Sequence, residues 1–169
     1  VRIFASCILT IAPRTVMPNP IAEALLGKGW MGRTISREET VEHLNPLVEA
    51  HIKLNHAYRA VSRVADNPRV EEALESLLKT ARADVGKLSE TIFSAGGSAY
   101  NGTDLEPEDF DLGPDLDTAL PNLIEQEEAF QDDVKTERND VEHQMRTRAI
   151  LELVRDNSQE RLSVIKRIQ

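Results

Sequence analysis

A chain of 169 residues is long enough for one domain with its own core, and a formal charge of −9 argues against a nucleic-acid backbone as its main partner, because phosphate contacts need a clustered basic surface. Hydrophobic residues make up 40% of the sequence but aromatic residues only 4%, so the core must consist of Leu, Val, Ile and Ala, which favours helices over sheets. The single cysteine, Cys7, excludes an internal disulfide and fits a reducing, cytoplasmic compartment.

The first 35 residues have no sustained hydrophobic period, and we predict that they form a poorly structured tail, or a wrongly assigned start, ahead of a domain at residues 36 to 169. Their apolar run from Ile3 to Ala12 is too short to span a membrane. The run resembles a weak signal peptide within residues 1 to 24, so export is the alternative to a cytoplasmic location. A true start at Met17 or Met31 is a further alternative.

The first helix is predicted from its capping residues. Ser36 and Glu39 have the spacing of a capping box, in which a hydroxyl and a carboxylate each accept a hydrogen bond from a backbone N–H. The helix should therefore begin after Ser36 and end near Asp66. Pro46 lacks an N–H and is predicted to kink this helix, or to make it restart with Asn45 as its cap.

Three more helices follow. The second is predicted to begin with Asn67 as cap and Pro68 in the first helical position, and to stop at Gly96-Gly97. Its apolar residues alternate in spacing between three and four, which is the pattern of a helix that packs against other helices. The third helix is predicted from about Thr118 to Arg138, and the fourth from about Asp140 to the end.

The lengths of the connections predict the topology. The links before the second and fourth helices are short, whereas "SAYNGTDLEPEDFDLGPDLD", here called the acidic connection (residues 98 to 117), is long. A short, long, short order predicts an all-α fold, an antiparallel four-helix bundle with one long crossover between helices 2 and 3, as in ferritin-like bundles. Leucine and phenylalanine residues within the acidic connection predict that it packs along the bundle as an ordered strap.

Two further features of the sequence are informative. The first helix opens with "ETVEHLNPLVEAHIKLNHAYRAVS", in which a Leu-Asn pair is followed by Tyr-Arg and small residues, and a Gly-Gly pair closes the second helix. In these features residues 38 to 168, about three quarters of the chain, resemble the bacterial ferritin-like four-helix-bundle family of unknown function. Pro46 and the extended acidic connection depart from that pattern. The resemblance implies a fold rather than an activity.

Ferritin-like di-iron enzymes supply a Glu from each of two helices and a Glu-x-x-His from each of the other two. This sequence contains no Glu-x-x-His. Glu127 nevertheless lies on the apolar seam of the third helix, where a carboxylate must be paired, hydrogen-bonded or metal-bound. The alternative is a small rotation of the helix that leaves Glu127 at the rim, beside Glu125 and Glu128.

Three polar side chains, His51, Asn55 and Tyr58, flank the apolar face of the first helix. They are predicted to form a polar layer with Glu127 or Asp84 that fixes the register of the helices. The alternative is that they lie on an exposed flank.

The sharper hypothesis is a metal site formed by Glu127, His51 and Asp84, with Glu160 as a further candidate. Its cofactor would be iron or another divalent metal, and ligands of such mixed type suit a single ion better than a di-iron pair.

The sequence shows no Gly-rich phosphate loop, serine nucleophile elbow or Cys-His motif. The predicted function is therefore noncatalytic and needs no cofactor: a stress-related or interaction module that forms a homo-oligomer or binds a protein partner. His43, His56 and His143 have no partner at ligand spacing in their own helices and are predicted to lie on the surface.

Overall fold

The computed structural model describes residues 34 to 106 and 109 to 169. Within these residues there is no strand, and there are four helices: α1 (Arg37–Val64), α2 (Pro68–Ser94), α3 (Leu116–Asp140) and α4 (Met145–Ile168). Helix α1 packs against α2 and α3, and α4 packs against the same two helices. Each of these helices therefore has two neighbours around a shared core, which confirms the predicted all-α four-helix fold for the described part of the chain.

Almost all of the predicted tail lies outside the described residues. The apolar run, the alternative of a signal peptide and the alternative starts at Met17 and Met31 all fall there, so they stay predictions. In the part of the chain that is described, none of the helices combines the length and the apolar character that a membrane span requires.

Helix α1 begins where its capping box predicts. The Ser36 hydroxyl accepts a hydrogen bond from the backbone N–H of Glu39 at 3.1 Å, and the Glu39 carboxylate accepts one from the backbone N–H of Ser36 at 2.7 Å. Two of the N–H groups that a helix start leaves without partners are satisfied in this way.

Helix α1 continues through Pro46, so the predicted restart with Asn45 as cap is wrong. The Asn45 side chain binds the acidic connection instead: its amide nitrogen donates to the Ser98 carbonyl at 3.1 Å, and its oxygen accepts from the Tyr100 N–H at 2.9 Å. Buried residues on both sides of Pro46, including Leu44 and Leu47, hold this turn in the core. Their packing offsets the backbone hydrogen bond that proline removes.

Helix α2 ends at the predicted glycine pair. Gly96 has a positive φ of 91°, and the Gly97 N–H donates to the Ile92 carbonyl at 3.1 Å, which is the hydrogen bond of a Schellman C-cap. A Cβ atom at Gly97 would lie 2.5 Å from the Val41 side chain, so the close approach of this loop to α1 requires glycine. The last two helices differ slightly from their predicted ranges: α3 begins earlier, at the Asp115 cap, and α4 begins later, at Met145.

The core has the predicted composition. Leu, Val, Ile and Ala dominate it, with Tyr58 and Phe130 as its buried aromatic residues. All four helices contribute, and Leu112 extends the core into the acidic connection.

The acidic connection packs beside α1, as predicted. Its contacts follow α1 in ascending order: Tyr100 with Asn45, Gly102 with Ile52, and Phe110 with His56, whose rings stack with centroids 4.8 Å apart. In its described residues the connection is therefore an ordered strap rather than a free loop.

Candidate functional site

Glu127 lies in the centre of the bundle with 0% of its surface exposed, so the alternative of a rim position is wrong. One carboxylate oxygen, Oε1, accepts hydrogen bonds from Ser158 Oγ at 2.6 Å and from Arg161 Nε and Nη2 at 3.0 and 2.8 Å. The other, Oε2, accepts from the Tyr58 hydroxyl at 2.6 Å. Because both oxygens accept from donors, Glu127 is bound as a carboxylate.

Asp84 provides the second buried carboxylate, on α2, and is also 0% exposed. Its Oδ2 accepts a hydrogen bond from Arg161 Nη1 at 2.8 Å, and its Oδ1 accepts from Asn157 Nδ2 at 2.7 Å. The half-buried Lys87 brings its ammonium to 3.5 Å from Oδ1. Every carboxylate oxygen of Asp84 and Glu127 therefore has at least one donor.

Arg161 connects the two carboxylates. Its side chain is only 1% exposed, and its guanidinium binds Asp84 through Nη1 and Glu127 through Nη2 and Nε. Arg161 was not predicted as a site residue from the sequence, because arginine is normally a surface residue. The available signal was its spacing, since Arg161 follows the core residue Val154 by seven positions and Ser158 by three, on one face of α4.

His51 lies at the edge of this cluster, fully buried. Its Nε2 is 3.5 Å from Arg161 Nη2 and 3.9 Å from Asp84 Oδ2, and its ring packs on Phe130 with centroids 4.3 Å apart. Its Nδ1 has no hydrogen-bond partner among the described residues, and neither has the side-chain oxygen of Asn55. His51, Asn55 and Tyr58 are all buried, so the alternative of an exposed flank is wrong.

The buried environment of this cluster shifts the pKa values of three of its side chains, Asp84, Tyr58 and Arg161. Burial raises the pKa of Asp84, but the nearby His51 ring, the hydrogen bonds from Arg161 and Asn157 and the charge of Arg161 outweigh that effect and hold this pKa below its usual value. Burial raises the pKa of the Tyr58 phenol, and the adjacent Glu127 carboxylate raises it further. Burial lowers the pKa of Arg161, but Glu127 and Asp84 reverse that effect and raise it.

The charges of the cluster balance. Asp84 and Glu127 are each negative, Arg161 is positive, and the Lys87 ammonium supplies the second positive charge at the border with solvent. A buried charge is tolerated only when it is paired and hydrogen-bonded. The cluster meets that condition with the protein's own groups.

The structure brings together the three predicted metal ligands, His51, Asp84 and Glu127, but with the Arg161 guanidinium bound to both carboxylates. Glu160 is exposed and lies apart from them. Across residues 34 to 106 and 109 to 169, no group of three or more His, Cys, Asp and Glu side chains is arranged to hold a metal ion. Binding of a metal by these residues stays a prediction.

A second polar cluster joins α1 to the α3–α4 link. His143 is 2% exposed, so its predicted surface position is wrong. Its Nε2 lies 2.6 Å from Glu137 Oε1, and the partly exposed His43 places Nδ1 3.1 Å from the same oxygen. Glu137 gives these two histidines a shared partner from the end of α3, which spacing within their own segments did not reveal.

Four surface cavities of the described residues are lined by side chains outside the buried cluster.

No protein-family model matches this chain, and no curated protein matches its sequence. The site's chemistry is therefore inferred from its geometry alone.

Proposed function

We propose that this protein is a noncatalytic four-helix bundle whose buried ionic layer (Tyr58, Asp84, Glu127 and Arg161, with His51, Asn157 and Ser158) fixes the arrangement of its helices. One observation carries the proposal: the Arg161 guanidinium binds both buried carboxylates at 2.8 Å. Di-iron bundles place metal ions between carboxylates from facing helices. Here a guanidinium takes the role of the central cation.

The chemistry of arginine supports this role. The guanidinium remains charged at any physiological pH, and its five N–H donors lie in a fixed plane. One such group therefore satisfies several carboxylate oxygens at once, as it does for Asp84 and Glu127. Together with the Lys87 ammonium beside Asp84, the guanidinium balances both carboxylates without a metal ion or a proton.

The ionic layer includes one member from each helix: Tyr58 from α1, Asp84 from α2, Glu127 from α3 and Arg161 from α4. Rotation or sliding of any one helix would leave a buried charge or hydroxyl without its partner. Removing one partner of a buried ion pair costs about 3–5 kcal/mol. The layer thus favours one register of the four helices over its alternatives.

The proposal includes a ferritin-like topology with antiparallel helices and a long crossover between α2 and α3. Its support is the path of the acidic connection, which contacts α1 in ascending order from Asn45 to His56. The resemblance of residues 38 to 168 to ferritin-like bundles of unknown function points in the same direction. Such a protein would keep the bundle and replace the metal with an ion pair.

The role of such a bundle is to bind other proteins or further copies of itself. Among the described residues, Phe93 and Met145 are large apolar side chains with exposed fractions of 60% and 87%. Both are adjacent in sequence to residues that line one cavity, Ser94 and Gln144. Exposed apolar groups of this kind are typical of contact surfaces.

A second candidate function is binding of iron or another divalent ion by a degenerate single-ion site. The observation that favours it is the convergence of His51, Asp84 and Glu127 from three helices, with His51 Nδ1 unpartnered among the described residues. This function requires Arg161 to leave the carboxylates. It is the weaker candidate because the guanidinium already occupies their oxygens.

Metal content separates the two candidates. Untagged protein would be incubated with ferrous iron, freed of unbound ions and measured by plasma mass spectrometry, beside Glu127→Gln and the matched control Glu128→Gln. Glu128 is an exposed neighbour that binds Lys166. We expect substoichiometric metal that is equal in all three proteins. About one ion per chain, lost in Glu127→Gln and retained in Glu128→Gln, would establish the metal-binding function instead.

A further inference from the structure

A small cavity lies where the start of α1, the end of α2 and the start of α4 meet. Its volume is about 160 Å³, and its polar lining includes Arg37, Thr91, Ser94, Gln144, Arg146 and Thr147. A water molecule takes up roughly 30 Å³ in the liquid. The cavity therefore has room for several waters or for one small polyatomic ion.

The charge of this cavity is unusual for so acidic a chain. It is lined by two arginines and by no carboxylate, although the sequence contains 29 acidic and 20 basic residues. Three other cavities in the described residues each include at least one carboxylate. Among the described residues, neither Arg37 nor Arg146 forms an ion pair, so no carboxylate in that part of the chain neutralises the positive charge of this cavity.

The start of α4 contributes a second positive element. Helices α1, α2 and α3 have N-cap side chains that accept a hydrogen bond from the first turn, whereas Gln144 makes no such bond and the first turn of α4 contains no acidic residue. Backbone N–H groups at a helix start are left without intrahelical partners and favour an anion.

Thr147 provides independent evidence for a ligand. It is 5% exposed and lines the cavity, but its hydroxyl has no hydrogen-bond partner among the described residues. The hydroxyls of Thr40 and Thr91, which line the same cavity, already donate to the carbonyls of Ser36 and Lys87. Buried hydroxyls normally have a partner. An acceptor atom in the cavity would supply one.

Thr147 lines the cavity together with Arg37 and Arg146. A buried threonine beside two arginines is suited to bind an oxyanion, which would accept hydrogen bonds from the hydroxyl and from both guanidinium groups.

We propose that this cavity binds a phosphate group, either as inorganic phosphate or as the terminal group of a small phosphomonoester. Arg37 and Arg146 supply the charge, Thr147 and Ser94 supply hydroxyl donors, and the first turn of α4 supplies N–H groups. The site is separate from the buried ionic layer, so it goes beyond the proposed function. Phosphate has the charge and the number of acceptor oxygens to engage these donors together.

The test is a titration of ¹⁵N-labelled full-length protein with sodium phosphate at pH 7.5, with sodium chloride holding the ionic strength constant. We expect saturable shifts of the Arg146 and Thr147 amide signals. Arg146→Gln removes a charge-assisted hydrogen bond and should weaken binding about tenfold or more. Thr147→Val, which keeps the shape of the side chain, should also weaken it.

The matched control is Arg69→Gln, which removes the same charge from an exposed arginine at the start of α2, a helix that Asn67 already caps. It should leave the affinity unchanged. A parallel titration with glycerol phosphate identifies the source of the group: tighter binding than inorganic phosphate indicates a phosphomonoester, and weaker binding indicates the free ion. Absence of saturation with both probes, or equal affinity in the wild type and Arg146→Gln, would overturn the proposal.

Discussion

At the scale of single residues, the chemistry of this protein depends on how buried charge is neutralised. Glu127 and Asp84 lie in the core, where an unpaired carboxylate would carry a desolvation cost of several kcal/mol. Arg161 meets both of them, and Tyr58, Ser158 and Asn157 occupy the remaining positions. Both carboxylates are paired with Arg161 and every carboxylate oxygen has a hydrogen-bond donor, which is the condition for tolerating such groups in a core.

The titration of Asp84 predicts an acid-dependent loss of stability. Its pKa is below the usual value in the folded protein, so its stabilising effect is present above the unfolded-state value of about 3.9 and is lost as the pH falls through the folded value. Urea unfolding at pH 7, 5, 4 and 3 should show a falling free energy in the wild type below about pH 4. Asp84→Asn should reduce that dependence.

Asp66→Asn is the control for this titration, because Asp66 is exposed and forms no ion pair with another described residue. Its pH dependence should match that of the wild type. An unchanged pH dependence in Asp84→Asn would contradict the role given to Asp84.

The sequence predicted part of the ionic layer because carboxylates on apolar helix seams demand partners. Glu127 was found in that way, and His51, Tyr58 and Asp84 were expected beside it. Arg161 was missed because the rotation of α4 is set by its packing against α2 and α3. Arg161 follows Val154 by seven residues, a spacing that is compatible with a core position. Only the assembled bundle shows that this core position holds a charged side chain.

At the scale of elements, the capping residues marked the ends of α1 and α2 correctly, whereas Pro46 did not mark a helix end. Ser36 and Asn67 cap α1 and α2 where expected, and Gly96 terminates α2. Pro46 was expected to kink α1 or to make it restart, and the helix continues through it without a restart, with buried side chains on both sides. Local sequence determines what a cap can bind, whereas tertiary packing decides whether a helix tolerates a proline.

Alanine substitution of two glycines tests the packing of α2, because one substitution should lower the free energy of unfolding and the other should raise it. Gly97→Ala should lower the free energy of unfolding by about 1–3 kcal/mol, because its Cβ would lie 2.5 Å from Val41. Gly86→Ala, whose Cβ would meet no atom within 4 Å inside α2, should raise it by about 0.5–1 kcal/mol. Urea denaturation of both variants is the measurement. Equal effects of the two substitutions would contradict the described approach of the glycine pair to α1.

At the scale of the whole molecule, composition predicted an all-α protein with an aliphatic core, and the structure has both. The sequence predicted a homo-oligomer or a protein partner but not a contact surface, since exposed apolar side chains such as Phe93 and Met145 are recognisable only after the helices are packed. The partner stays a prediction.

The proposed self-association has a predicted salt dependence. A formal charge of −9 makes copies of the chain repel each other, and salt screens that repulsion within about 10 Å at 0.1 M. Sedimentation velocity should therefore show stronger association at higher salt. Replacing Phe93 and Met145 with Ser should weaken it, whereas Leu153→Ser, at a less exposed apolar residue of α4, should have a smaller effect. A single monomeric species at every concentration and salt level would contradict self-association.

The most direct test of the central claim, that Arg161 is the cation of the buried layer, is the free energy of unfolding at pH 7 of the wild type and Arg161→Met. Each protein would be measured with ferrous iron and with a chelator. We predict that the variant loses about 3–5 kcal/mol, because two buried carboxylates lose their partner, and that iron and chelator leave the wild type unchanged. A wild type that the chelator destabilises, together with an Arg161→Met variant of undiminished stability, would contradict the account and assign the central charge to a metal ion.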